Sequence, residues 1–253
     1  MIRFALALFA IVCLALPAGA ERLFSSVSTE TVQITSSFDG ERLTFFGTIA
    51  PDAGAEQKFV EGPFHVVVVV VGPTQDRVAR KKTNNFGVWL NTEQVEFKGF
   101  PSYFHVLAST RLRDITDVNT LTTNYILPES HAISPNPAGW WQTLNFGHEL
   151  IRLMSEQDLF GVQENGVLFH SESFYSAQLT LPSNAPPGPY IAQTYVFKDG
   201  EIVARKSDGF AVRKIDFERF LALSATQYPL LYGLACVALA LFTGWLGGVL
   251  FRR

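Results

Sequence analysis

Apolar and polar residues alternate along much of the chain after Glu30, and this period of two predicts antiparallel strands. Runs at 31–35 and 43–47 flank Asp39-Gly40, a pair that suits the positive φ angles of a tight hairpin turn. Asn165-Gly166 and Asp199-Gly200 predict two more such turns. The run 65–71 is His65 followed by six valines, bounded by Gly62-Pro63 and Gly72-Pro73. An unbroken β-branched run of this kind predicts a central strand covered on both faces. Shorter strands are expected at 78–82, 87–90, 103–109, 167–170 and 175–181, and a closing hairpin at 191–197 and 202–212 is entered through Pro187-Gly188-Pro189-Tyr190. Helical spacing stands out once in this region, near 146–160, where Leu150, Ile151, Leu153, Met154 and Leu159 recur among Glu149, Arg152 and Glu156. Residues 128–141 read as a long loop. The fold class expected is mainly β: an immunoglobulin-like β-sandwich, single or double, with a short helical insertion.

The two ends are apolar in different ways. Arg3 precedes an uncharged apolar block at 4–16 and then Pro17-Ala18-Gly19-Ala20, the grammar of a secretory signal peptide over 1–20. Near the other end no charge occurs between Arg219 and Arg252. Residues 229–251 are long and apolar enough to cross a bilayer as one helix, since a crossing takes about 20 apolar residues. The domain plan is therefore a signal at 1–20, a β-rich body at 21–213, a juxtamembrane segment at 214–228, a transmembrane helix at 229–251 and a tail at 252–253. The signal sends the body across the inner membrane into the periplasm and leaves Arg252-Arg253 in the cytoplasm.

Charge and chemistry narrow the function classes. A net charge of −3 gives no electrostatic reason to expect nucleic acid. Cys13 lies in the signal and Cys236 in the membrane helix, so the exported body folds without disulfides. The five histidines are scattered, and His148-Glu149 lacks the second histidine of the zinc-protease pattern, Arg152 standing in its place. No nucleophile elbow, phosphate loop or dinucleotide fingerprint occurs. The expectation is a non-enzymatic protein with no cofactor and no metal. Two features point to partners instead. Cys236, Ala240, Gly244 and Gly248 recur every fourth position and form a small-residue face on which another membrane helix can pack. Trp140 and Trp141, read as part of the loop, are candidate partner anchors.

The strings 181–190, Phe197-Lys198-Asp199-Gly200, Pro229-Leu230-Leu231-Tyr232-Gly233 and 244–253 resemble those of the alphaproteobacterial transmembrane protein family Alph_Pro_TM over nearly the whole mature chain. The resemblance implies a signal peptide, an outer domain and one C-terminal helix, and it implies no activity. It also brings an association with anion exporters. The leading expectation is an accessory subunit that binds a polytopic, transporter-like membrane protein. The alternative is a periplasmic domain that senses or delivers a ligand, an anion or a metal, for an exporter.

Overall fold

The computed structural model describes residues 21–34, 40–51, 60, 62–132, 140–214 and 224–250. The signal segment at 1–20, Asp39 and the tail at 252–253 lie outside them.

Strand β4 (His65–Val71) is where the core begins. Val66 to Val70 are each at most 3% exposed, as the valine run demands. A strand with no polar face must be flanked and covered on all sides. It lies between β11 (Gly188–Lys198) and β7 (Phe104–Ala108), antiparallel to both. The sheet extends to six strands in the order β2-β12-β11-β4-β7-β8, with β2 at Thr31–Ile34, β12 at Glu201–Lys214 and β8 at Phe160–Glu164. The β7–β8 pair is parallel and needs the long crossover that carries the helices.

A second sheet has four strands in the order β1-β3-β10-β9: β1 (Arg22–Val27), β3 (Glu41–Ala50), β10 (Phe174–Leu181) and β9 (Val167–Phe169). Its inward row includes Leu43, Phe45, Ile49, Tyr175, Ala177, Leu179 and Leu181, all buried. The two sheets close on each other through rings. Phe45 meets Phe210 with centroids 6.0 Å apart, Phe210 stacks on Tyr190 at 5.1 Å, and Tyr190 reaches Tyr103 at 5.5 Å. Polar links join them at one edge, where Lys206 Nζ donates to Ser25 O at 2.9 Å and the Ser25 hydroxyl donates to Asp208. The expectation of a mainly β, layered body is met.

A separate two-stranded ribbon, β5 (Thr74–Asn85) with β6 (Val88–Pro101), leaves this body. Only its base is buried, at Val95, Phe97 and Phe100. Between β7 and β8 lie α1 (Leu112–Ile115), α2 (Val118–Thr123), a 3-10 turn at Pro128–His131 and α3 (Trp140–Ser155). Asp117 caps α2 by accepting from Asn119 N and Thr120 N, which satisfies donors that the first turn leaves open. By its contacts the chain divides into two units, one of Met1–Val32 with Gly40–Val212 and one of Gln33–Asp39 with Arg213–Arg253. The second unit carries α4 (Pro229–Leu250).

Several local expectations are corrected. Of the three expected hairpin turns, only Asp199-Gly200 makes one: φ is 51° and 86°, and Lys198 pairs with Glu201 across a two-residue turn. Strands β2 and β3 do not pair around Asp39-Gly40; they lie in different sheets. Gly40 does have φ 117°, so the residue marks a turn in the backbone without naming a neighbour. Strand β3 takes β1 and β10 instead, which bury its inward row on both sides. At Asn165-Gly166 the chain likewise crosses from β8 in one sheet to β9 in the other. The expected strands at 78–82 and 87–90 are fragments of the long ribbon. The expected helix at 146–160 starts earlier and stops at Ser155; Leu159 is buried beyond its end and Phe160 opens β8.

Two imidazoles sit in the body at a cost that depends on pH. The His105 ring stacks on Tyr103 at 4.8 Å, its Nε2 lies 3.1 Å from Asp158 O, and Gly161 stands opposite, where a Cβ would come within 2.7 Å of the ring. His131 packs on Phe104 at 4.6 Å. Burial holds both pKa values below that of a free histidine, although hydrogen bonds to Asp158 and Tyr125 pull the other way. The unfolded chain therefore binds more protons than the folded one once pH falls through about 6.5. Stability is full above that value and declines below it. Urea denaturation is expected to give a lower midpoint at about pH 5.5 than at about pH 7.5, with the slope flattened in a His105→Gln, His131→Gln variant. Phe104→Ala, which opens a hole beside Phe160 and His131, is expected to lower unfolding free energy by about 3–5 kcal/mol in the same assay.

Candidate interaction surfaces

Once the inward rows are buried, the apolar residues left in water are informative by their grouping. On the outer face of the four-stranded sheet, Phe24 of β1 and Phe174 of β10 both pair with Thr48 of β3. Phe46 pairs with Ser26 and Ser176, and Ser176 pairs in turn with Leu168 of β9. Register thus lines up Phe24, Phe46, Phe174 and Leu168 on one side, 51%, 38%, 41% and 61% exposed. A shallow hollow of about 270 Å³ opens among Phe24, Phe46, Gly47, Thr48, Phe174 and Lys206. Gly47 is required there, because a Cβ would strike Phe24 O and the Tyr175 hydroxyl at 2.5 Å. Charges stand around it: the Arg22 guanidinium lies 5.8 Å from the centre of the Phe24 ring, Lys206 lines the hollow and is paired with Asp208 at 3.8 Å, and Arg42 is exposed further along β3. Beneath, burial pushes the Tyr175 phenol up to about 12, so it stays neutral.

The ribbon β5–β6 presents a second apolar group at its far end. Asn85 pairs with Val88 across Phe86 and Gly87, whose φ angles of 52° and 84° make a type I′ turn. The Asn84 carboxamide oxygen accepts from Gly87 N at 2.8 Å and closes the turn. A phenylalanine in the left-handed region costs about 1–2 kcal/mol against glycine or asparagine. That cost places a fully exposed ring at the apex, with Val88, Trp89 and Leu90 exposed beside it.

A larger hollow, about 640 Å³, is lined by Val60, Gly62, Pro63, Phe64, Phe169, Ser171 and Glu172. Its one charged lining residue among those described is acidic, which does not suit an anion. No group of three or more His, Cys, Asp or Glu side chains converges among the described residues.

The sequence-derived candidates fall elsewhere. Cys236, Ala240, Gly244 and Gly248 all lie on α4, and a Cβ at Gly244 or Gly248 would meet nothing within 4 Å. Each step of four advances 40° around the helix, so the small-residue face is a gently winding strip. The Thr243 hydroxyl donates to the carbonyls of Leu239 and Ala240 at 2.9 and 3.0 Å, leaving no open polar group on that turn. Among the described residues, Pro229–Gly248 form one candidate membrane span by length and composition. Trp140 and Trp141 are not in a loop: both belong to the first turn of α3, since the helix begins upstream of its amphipathic stretch. The two exposed groups above escaped sequence reasoning. Adjacent Phe45 and Phe46 read as one apolar run although they face opposite sides, and Phe86-Gly87 is not a preferred turn pair. The signal available was Val88-Trp89-Leu90 standing just beyond Arg80-Lys81-Lys82 with no apolar partner in register.

Comparison with known proteins yields one sequence match. The model of the family described as "Putative transmembrane protein (Alph_Pro_TM)" matches residues 22–253. No curated protein matches. Among solved structures, the chain overlaps "Structure of the N-terminal domain of PorA" at 10% identity, covering 76% of this chain and 98% of that one with a TM-score of 0.21. At that score the overlap carries no structural argument.

Because Trp89 is 67% exposed at the ribbon tip, Trp89→Ser is expected to shift unfolding free energy by less than about 0.5 kcal/mol, measured by urea denaturation.

Proposed function

The chain belongs to the Alph_Pro_TM family of transmembrane proteins, and from that premise we propose that it is a single-pass accessory subunit whose β-rich body binds a membrane-protein partner. The observation that carries the reading is the apolar row Phe24, Phe46, Phe174 and Leu168, three aromatic rings and a leucine set in register across four strands and exposed. Aromatic side chains held on a rigid sheet are the residues that dominate binding energy at protein interfaces. The exposed guanidinium groups of Arg22 and Arg42 beside the row favour a partner segment that offers an apolar side chain flanked by carboxylates.

The body is read as an immunoglobulin-like module, supported by the Tyr190 corner, where the buried phenol donates to Pro186 O at 2.7 Å. It is placed in the periplasm of the bacterial inner membrane, with α4 crossing and Arg252-Arg253 inside. The signal-like segment at 1–20 supports that orientation. In the membrane, the strip Cys236, Ala240, Gly244 and Gly248 gives a second, lateral contact to the same partner. No enzymatic role is proposed.

Full-length chain is expected to co-purify with a polytopic membrane protein from native membranes. Phe46→Asp reduces recovery at least about tenfold, as loss of one aromatic anchor worth about 1.4 kcal/mol or more requires. Gly244→Leu with Gly248→Leu lowers it independently. Unchanged recovery with Phe46→Asp overturns the sheet-face reading. A reporter fused after Arg253 is expected to be active only in the cytoplasm.

A further inference from the structure

We propose that the tip of the β5–β6 ribbon is a second membrane contact: Phe86, Val88, Trp89 and Leu90 enter the interfacial layer of the bilayer that holds α4, and Arg80 and Lys82 meet anionic headgroups.

The argument begins with the register. Side chains alternate along a strand, so Arg80, Lys82 and Asn84 share one face of β5, and Trp89, paired with Asn84, shares it with them. On the opposite face stand Val88, paired with Asn85, and Leu90, paired with Thr83. The apex is Phe86. Apolar groups thus surround the tip on both faces and at its end, whereas a groove on a folded protein covers one face of an inserted strand pair. Behind the tip on the Trp89 face come Asn84, then Lys82, then Arg80. This order of apolar end, indole, amide and cation matches the gradient from acyl boundary to headgroup, where tryptophan and basic residues concentrate. Lys81, on the other face, is held by Glu93 at 3.2 Å, while Arg80 and Lys82 make no ion pair among the described residues.

Backbone chemistry sets the depth. The turn is closed by the Asn84–Gly87 hydrogen bond and the two strands pair with each other, so the tip carries few open groups. The outer edges of a lone ribbon remain unpaired, and hydrocarbon would penalise them heavily. The contact therefore stops in the interface. An isolated two-stranded ribbon is marginal in water, and a surface that covers its end stabilises it.

Reach is consistent with this. Beyond the last buried residue, Val95, opposite Ala79, the ribbon runs on for roughly 20 Å at about 3.3 Å per residue. Fourteen residues separate Lys214 at the end of β12 from Pro229 at the start of α4, a chain that spans at most about 50 Å. The body cannot leave the neighbourhood of its own membrane, and a tethered contact needs little intrinsic affinity.

The test uses the full chain in nanodiscs of phosphatidylcholine and phosphatidylglycerol. The emission of wild type minus that of Trp89→Phe isolates the Trp89 signal. Expected is a blue-shifted component that is quenched by lipids brominated near the top of the acyl chain and shielded from aqueous iodide. Arg80→Glu with Lys82→Glu is expected to abolish the bromolipid quenching. A Trp89 component quenched by iodide and untouched by bromolipid overturns the proposal. One shielded from both quenchers overturns it too and assigns the tip to a protein pocket. Quenching by bromolipid that survives the charge reversal overturns the headgroup contact.

Discussion

The run Val66 to Val70 has no face left for solvent, and the body is arranged to meet that demand. Hydrogen-bonding edges are taken by β11 and β7, and the side chains of Val66 to Val70 are buried on both faces. Once one strand is sealed in this way, its neighbours inherit a fixed register, because a slip by one residue would turn every inward side chain outward. The aromatic succession Phe45, Phe210, Tyr190 and Tyr103 then crosses from the four-stranded sheet at its first step and runs on along the six-stranded one. Burial pushes the Tyr190 phenol well above its ordinary range, and its hydrogen bond to Pro186 O pins the entry into β11.

A core this complete throws the surface into relief. Phe24, Phe46 and Phe174 stay 51%, 38% and 41% exposed on the body, and Phe86 takes a left-handed turn position that glycine or asparagine fills at lower cost. The sequence accepts exposed area at the first and an unfavourable backbone conformation at the second. Exposed apolar area and strained backbone of this kind are characteristic of sites that answer to something outside the chain.

Legibility followed the range of the interaction. The valine strand, the apolar helix at Pro229–Leu250 and the hairpin at Asp199-Gly200 could be read directly, since each is encoded by consecutive residues. Gly40 and Gly166 announce a change of backbone direction, but which strand lies alongside depends on residues far away, so two expected hairpins are sheet-to-sheet crossings. Helices α1 and α2 are too short for a periodic signal and rest on burial of Leu112, Ile115 and Leu121 with the Asp117 cap. Of the surfaces, the membrane strip was visible as spacing. The sheet row was hidden because it exists only when four strands, two from early and two from late in the chain, stand side by side. The ribbon was hidden because its turn uses Phe86-Gly87 in place of the usual asparagine or aspartate with glycine.

The pairing of Phe45 with Ala177 and of Val69 with Gln193 has a kinetic consequence. Both early strands depend on partners from the final third of the chain, so a polypeptide delivered amino end first has no place to seal its valines until nearly all of it has emerged. High contact order of this kind slows folding and prolongs the exposure of a strongly β-forming segment. His65 at its head, with Gly62-Pro63 and Gly72-Pro73 flanking it, bounds that segment during the wait.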